Sequence, residues 1–473
     1  MTEREVDLVV IGAGPVGENA ADRAVQAGLE TVIVESELVG GECSYWACMP
    51  SKALLRSPQI LSAAKAVAGA AEAVKGELDV GAVLKRRDSF TSEWSDAGQV
   101  GWLESAGIDL IRGHGRISGE REVTVTAEDG TTTVVRARHA VVAATGSVAN
   151  TPDIPGLRDA KPWTSREATS AKTIPESLAI IGGGVVATEM ATAYRAFGAQ
   201  VTMIVRGGLL GGVEPFAAER VATSLRAQGV TILTETETLR VERTGEGVTV
   251  ETSGPTVDAA EVLVAAGRSP ATADLGLETI GLEPGANLEV DDTLRVEGFS
   301  WLYAVGDVNG RALLTHQGKY QARAAGDVIA ARAAGEAVDD APWGAHVATA
   351  DHAAVPQVVF TDPEIAAVGP TADQARDQGK NIRVVDYDLG SVAGASLSRD
   401  GYAGAARMIV DEDRGVMIGA TFVGPDVAEL VQTATTAIVG EVPIDRLWHA
   451  VPAYPTVSEI WLRLLEAYGR PKA

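Results

Sequence analysis

Residues 6–36 read "VDLVVIGAGPVGENAADRAVQAGLETVIVES" and residues 176–207 read "ESLAIIGGGVVATEMATAYRAFGAQVTMIVRG". In both, a short continuous apolar run stops at glycines, an alanine-rich stretch follows, and a second apolar run closes the segment. Apolar runs bounded by glycine predict buried strands, and the alanine-rich stretches predict helices. Each segment is therefore expected to be a strand–turn–helix–strand unit. Two further runs, "AVVAATGS" (140–147) and "LYAVGDV" (302–308), predict strands that return to the first unit, while "EVLVAAGRSP" (261–270) returns to the second. The first domain would then be discontinuous, with the second inserted into it. After about residue 345, strand-like runs ("VPQVVFTDPEIAAVG", "ARMIVDEDRGVMIGATFVG") flank an alanine-rich helix near 426–440. The expected fold class is α/β: two Rossmann-like dinucleotide-binding domains, at 1–150 with 270–345 and at 151–269, plus a C-terminal α+β domain at 346–473.

The glycine turns carry the first chemistry. Early glycines let the backbone turn tightly and approach a pyrophosphate, whose charge rests on the helix N-terminus. In the first unit these are Gly12, Gly14 and Gly17; in the second, Gly182 and Gly184, with Ala187 at the third position. The residue ending the second strand reads the ribose. Glu35 is suited to accept hydrogen bonds from ribose hydroxyls. Arg206 instead suits a 2′-phosphate, as does the Ala187 turn, which points to NADPH; the bland alternative is a solvent-facing arginine.

Composition narrows the partners. The 473 residues carry a formal net charge of −24, a field that repels a phosphate backbone, so neither nucleic acid nor an acidic membrane surface is an expected partner. The N-terminus enters a strand-like run without a basic leader, and no window of about 18 apolar residues predicts a membrane span. A cytoplasmic location is expected, and no metal-ligand set is read.

The chain has two cysteines, and both lie in "GGECSYWACMPSK" at 40–52. Either they are small buried residues that happen to be close, or they are one redox device. A closely spaced pair in a reducing compartment is more often catalytic or metal-binding.

Taken together, GxGxxG with Glu35, the CxxxxC pair followed by PSK, ATGS, the second glycine turn, GRxP and GD resemble the class I pyridine nucleotide–disulfide oxidoreductases. This family includes dihydrolipoamide dehydrogenase, glutathione reductase and mercuric reductase, and the resemblance runs from the first strand to "YPTVSE". It implies an FAD domain, an NAD(P) domain and an interface domain that forms a homodimer. It implies that Gly146, Asp307, Gly267 and Arg268 help hold the cofactors. Cys43 would be the interchange thiol that meets substrate, and Cys48 the charge-transfer thiolate facing flavin. Lys52 would lower the thiolate's proton affinity and pair with Glu189 near the flavin's reactive edge. Five residues of regular helix rise about 7.5 Å, whereas a disulfide wants Cα atoms roughly 4.4–6.8 Å apart. An irregular turn is therefore expected between the cysteines, where Gly40, Gly41 and Pro50 make distortion cheap.

Three departures matter. The family's catalytic histidine–glutamate motif reads "HAVPAYPTVSE" here (449–459), which puts Tyr454 in place of the histidine and retains Glu459. A phenol is a poor base at neutral pH and serves at best as a donor or a metal-facing ligand; His449, upstream, is read as a packing or surface residue. Tyr454, and Val185 beside the nicotinamide position, look like mercuric reductase, yet the additional cysteines that mercuric and large thioredoxin reductases use are missing. Tyr45 and Trp46 stand where smaller residues are usual, either closing the pocket to bulky disulfides or packing against the interface domain. The expected function is an FAD-dependent oxidoreductase that carries electrons from NADPH through Cys43–Cys48 to a small-molecule acceptor: a small disulfide, a thiol-bound metal or a similar compound. The alternatives are a dihydrolipoamide dehydrogenase, an NAD(P)H:quinone reductase in which the cysteines are secondary, or a redox sensor.

Overall fold

The computed structural model describes residues 2–470. The chain divides into two compact units, one of Met1–Pro50, Arg87–Asn150 and Arg268–Asp351, the other of Ser51–Arg86, Thr151–Gly267 and His352–Ala473.

In the first unit, strand β1 (Thr2–Ile11) leads into helix α1 (Pro15–Gln26) and strand β2 (Thr31–Glu35), the βαβ order expected from the apolar runs. β1 pairs in parallel with β2 and with the Thr132–Ala143 strand, in a sheet ordered Asp109–Arg112, β2, β1, Thr132–Ala143, Glu122–Thr126, His114–Gly119. The Thr132–Ala143 strand serves two neighbours. Its first half pairs antiparallel with Glu122–Thr126 and mixes buried with half-buried and exposed positions, whereas Val141–Ala143 pairs in parallel with Leu302–Ala304. Residues 140–143 are all buried, covered on both faces, which is why "AVVA" reads as continuous apolar sequence. Helices α2 (Gly41–Tyr45) and α4 (Thr315–Ala334) belong to this unit, and α3 (Cys48–Lys65) begins in it and continues as part of the second from Ser51. α4 lies closely along α1, because a Cβ at Gly318 would come within 2.6 Å of Val16 and one at Gly326 within 2.6 Å of Arg23. Arg23 and Asp327 then pair at 2.6 Å.

The second unit holds a parallel sheet ordered Thr231–Leu233, Gln200–Ile204, Ser177–Ile181, Glu261–Val264. It also holds a five-stranded antiparallel sheet of Pro356–Val359, Glu364–Val368, Val416–Gly424, Ala405–Asp411 and Ile382–Asp388. All nine residues of Val416–Gly424 are buried, as a central strand covered on both faces should be. The helix expected near 426–440 spans Leu430–Val439. Two apolar clusters of this unit meet across the antiparallel sheet, and Phe422 packs edge-on against Trp461 with ring centroids 5.2 Å apart.

A buried ion pair ties segments of this unit that are far apart in sequence. Glu214 is 2% exposed; it accepts from the Ala372 amide and from Arg407 Nη1, each at 2.7 Å, and Arg407 also holds Asp386. Glu214→Ala is expected to cost about 2–3 kcal/mol, because it strands a buried amide and half of a guanidinium. Glu214→Gln, which keeps an acceptor for the amide, should cost less. The urea midpoint of the two variants checks this; equal midpoints with the parent would remove the network from the account of stability.

Among the described residues no helix is long and apolar enough to cross a membrane.

Candidate redox site and dinucleotide cradles

The first glycine turn is shaped by close backbone approach. Gly12 has φ +103°, and a Cβ there would lie 2.5 Å from the Ala144 carbonyl oxygen; one at Gly17 would lie 1.9 Å from the oxygen of Gly12. Gly14, by contrast, caps α1 with open space above it. The turn is thus closed beneath and open where a pyrophosphate would meet unpaired N–H groups. Glu35 ends β2 with its carboxylate fixed from below: Oε2 accepts from Ala13 N–H and Oε1 from Glu37 N–H, both at 2.8 Å. Gly146, at φ +72°, also leaves open space. Beside it Ser147 Oγ donates to Asp307 at 2.5 Å and accepts from Arg268 Nε at 2.7 Å, joining two predicted site residues through one hydroxyl.

The second turn repeats this logic in the second unit. A Cβ at Gly182 (φ +135°) would reach 2.2 Å from the Ala265 oxygen; Gly184 is open; Ala187 is fully buried. Val185 is 41% exposed at the mouth of the turn, Arg206 is exposed, and Gly267 has φ +104°. Both cradles fit a dinucleotide, since their closed sides would reject a side chain and their open sides face amides.

The cysteine segment is broken, as its spacing requires. α2 ends at Trp46 (φ −136°, ψ −4°), and the Trp46 and Ala47 amides both turn back to the Glu42 carbonyl. α3 then starts at Cys48, with Pro50 in its first turn, where an absent N–H leaves nothing unpaired. Gly40 (φ +108°) and Gly41 (φ +55°) open the segment, and a Cβ at Gly41 would press 2.9 Å from Gly14 Cα. The cysteines are therefore seated on the first glycine turn. Both are free thiols. The neighbouring Cys48 thiol and burial push the Cys43 thiol far up, against opposing pulls from Thr315 and Lys319 on α4. Cys48 Sγ lies 3.3 Å from Thr315 Oγ1.

Tyr45 answers one open reading. It is 3% exposed inside its own unit, its hydroxyl donates to the Val39 carbonyl at 3.0 Å, and burial pushes its phenol up to about 12. The Trp94 indole N–H donates to the Tyr45 carbonyl at 3.2 Å. Tyr45 is thus an anchor for the segment, and Trp46, edge-on to it at 5.7 Å, is the half-buried one.

In the second unit Lys52, one helical turn along α3 from Cys48, meets Glu189 at 2.8 Å. Glu189 is nearly buried, and its other oxygen accepts from the Phe360 amide at 3.0 Å, while Lys52 sits 4.9 Å from the centre of the Phe360 ring. The sequence reading missed Phe360; its only signal was an aromatic at the end of the apolar run "VPQVVF". Thr315, Lys319 and Glu18 were missed too, although a glutamate directly after the third glycine of an alanine-rich helix was visible. Tyr454 is 75% exposed and His449 is exposed. Glu459 is 4% exposed, with Oε1 accepting from Arg463 at 2.5 Å and Oε2 buried without a partner. Among the described residues no hydrogen bond joins Tyr454 to Glu459. Nor, among them, do three or more His, Cys, Asp or Glu side chains gather where a metal ion would fit.

Residues 6–331 match the pyridine nucleotide-disulphide oxidoreductase family, and residues 355–464 match the dimerisation domain of the same family. The chain belongs to the pyridine nucleotide-disulphide oxidoreductases. It is 31% identical over 467 residues to the dihydrolipoyl dehydrogenase of Chlamydia pneumoniae, covering 97% of this chain and 96% of that one. It is 32% identical over 461 residues to a mercuric reductase of Acidithiobacillus ferrooxidans, covering 96% and 81%. The crystal structure of the HOCl-induced flavoprotein disulfide reductase RclA from Escherichia coli superposes with a TM-score of 0.82 at 25% identity, covering 97% and 99%. The α/β class with FAD, NAD(P) and dimerisation domains is therefore that of the family, which is FAD-dependent and uses a pyridine nucleotide. In this oxidoreductase the first glycine turn, Glu35 and the Ser147–Asp307–Arg268 group could hold FAD.

Proposed function

We propose that this oxidoreductase carries electrons from NADPH to the Cys43–Cys48 pair and on to a small disulfide, a thiol-bound metal ion or a similar acceptor. The observation that carries the reading is the dithiol itself: two free cysteines on either side of a helix break, in a segment whose Gly41 packs on Gly14 of a dinucleotide turn. Bound FAD would supply the two-electron relay between nicotinamide and thiols. The chain's own part is to hold the pair at exchange distance, keep Thr315 beside Cys48, and orient the two dinucleotides on facing amides. The domains are proposed at 1–150 with 270–345 for FAD, 151–269 for NADPH and 346–473 for the interface; the matched dimerisation domain supports a homodimer. A cytoplasmic location is part of the same proposal. Tyr454 stands where the family's motif has its histidine, and a phenol is a poor base at neutral pH, which weighs against a dihydrolipoamide dehydrogenase. The mercuric reductase among the relatives supports keeping a thiol-bound metal on the acceptor list.

Anaerobic titration with NADPH tests this. Long-wavelength charge-transfer absorbance and full reduction at roughly two equivalents are expected; bleaching at roughly one equivalent without that band would sink the proposal in favour of a quinone or oxygen reductase. Cofactor preference rests on Arg206, which is exposed and makes no side-chain hydrogen bond or ion pair among the described residues, so its guanidinium is available to a 2′-phosphate. Arg206→Ala is expected to raise the KM for NADPH about 10- to 100-fold, the worth of a charge-assisted contact, and to leave the KM for NADH unchanged. Equal effects on both cofactors would remove Arg206 from recognition.

A further inference from the structure

The loop that follows Arg87 contains a strained piece of backbone. Ser92, Glu93 and Trp94 stand one after another in the left-handed region, with φ of +49°, +53° and +59°, and none is a glycine. An L side chain crowds its own backbone there, so the conformation persists only where the surroundings enforce it. The Trp94 amide donates to the Thr91 carbonyl at 2.8 Å, and the Ser95 amide donates to the Ser92 carbonyl at 2.9 Å. Arg87, fully buried and paired with Asp88 at 2.7 Å, sets its guanidinium 5.3 Å from the centre of the Trp94 ring. The turn aims two groups at the cysteine segment, all within the first unit. The Trp94 indole N–H donates to the Tyr45 carbonyl at 3.2 Å, and Asp96 accepts from the Val39 amide at 2.9 Å. Tyr45 closes the triangle, because its hydroxyl donates to the Val39 carbonyl at 3.0 Å. Tyr45 is the last residue of α2, where carbonyls lose their helical partners, and it stands between the two cysteines. The indole thus supplies a donor at the break that separates Cys43 from Cys48.

We propose that Trp94, aimed by this left-handed turn, is a positioning residue that holds the Cys43–Cys48 break at the spacing where a disulfide closes, and so sets the pair's redox equilibrium. The inference rests on the reading of Cys43–Cys48 as the working dithiol. A disulfide forms only with its Cα atoms roughly 4.4–6.8 Å apart. An untied break between two helices also visits arrangements in which the sulfurs stand further from each other. The tie acts on the open form: it removes those arrangements, which a closed disulfide excludes anyway. The dithiol then gives up less freedom on oxidation, and the disulfide is favoured. Releasing the tie moves the balance towards the dithiol. Trp94 does this through the Tyr45 backbone rather than by acting on a thiol.

The experiment equilibrates the FAD-loaded full chain anaerobically with graded ratios of reduced to oxidised dithiothreitol. Closing the Cys43–Cys48 bond passes two electrons and two protons to oxidised dithiothreitol, whose own S–S bond opens. Acid quenching and alkylation then count the free thiols by mass, and the chain has no other cysteine to confuse the count. Trp94→Phe keeps an aromatic ring but lacks the N–H. It is expected to shift the equilibrium about tenfold towards the dithiol, the upper worth of one hydrogen bond and about 30 mV for a two-electron couple. Glu93→Gly keeps the indole and accepts the left-handed conformation freely, so it should stay on the parent curve. Glu93→Val, at an exposed site, resists that conformation and should shift the same way as Trp94→Phe, but less. Retained visible flavin absorbance reports folding; should Trp94→Phe lose it, Glu93→Val carries the test. A Trp94→Phe curve superimposable on the parent's overturns the inference. So does a Glu93→Gly shift as large as that of Trp94→Phe, which would make general loosening the cause. A parent that forms no disulfide at any ratio would sink the reading of the dithiol itself, whereas a normal parent curve with unmoved variants sinks this inference alone.

Discussion

Cys48→Ser is expected to lower NADPH-driven reduction of a small disulfide by on the order of a thousandfold or more, while flavin is still bleached by NADPH. The pair stores two electrons only if both sulfurs are present, since closing one S–S bond is what releases them to an acceptor. With serine at 48, Cys43 can still attack a disulfide, but the mixed disulfide has no second thiol to resolve it. NADPH titration should then stop after roughly one equivalent, and the long-wavelength band should vanish. Cys43→Ser makes the contrasting case: turnover is lost to the same degree, but the thiol beside Thr315 remains, so the band survives in the oxidised protein. Anaerobic spectra of both variants separate the two roles. If Cys48→Ser turned over a disulfide at the parent rate, the cysteines would be bystanders.

Lys52→Met is the second large effect expected, and it is one of stability. It takes the cation from Glu189, which is nearly buried, and leaves the carboxylate with the Phe360 amide alone. Breaking a buried pair on one side costs about 3–5 kcal/mol; Lys52 is about a third exposed, so water reaches the vacated oxygen and about 2–4 kcal/mol is expected. Removing both partners, Lys52→Met with Glu189→Leu, should recover most of the loss. Urea midpoints of the single and double variants check this. A double variant no more stable than Lys52→Met would point to lost packing of the Lys52 stem on Phe360 instead.

Much of the site was legible because its signals are short-range. Gly12, Gly17 and Gly182 could be picked out as turn formers, since backbone closure there happens within a few residues. The helix break between Cys43 and Cys48 followed from spacing once the family resemblance implied a disulfide between them: a regular helix holds residues five apart too far from each other for exchange, and glycines and a proline bracketed the segment. Tyr45 shows the limit. Its identity and position were plain, but whether it faced a pocket or a core depended on Val39 and Trp94, which reach it only in the fold.

The chain by itself thus determined the two βαβ units, the broken helix between the cysteines, and the places of Glu35 and Arg206 at the ends of the units' second strands, because apolar runs, turn residues and local spacing act over distances the sequence displays. Tertiary structure alone decided that Ser147 joins Asp307 to Arg268, that Phe360 closes on Glu189, and that Thr315 meets Cys48 from a segment hundreds of residues away. A buried polar group takes whichever partner packing brings within reach, and nothing in its own neighbourhood along the chain specifies which that will be.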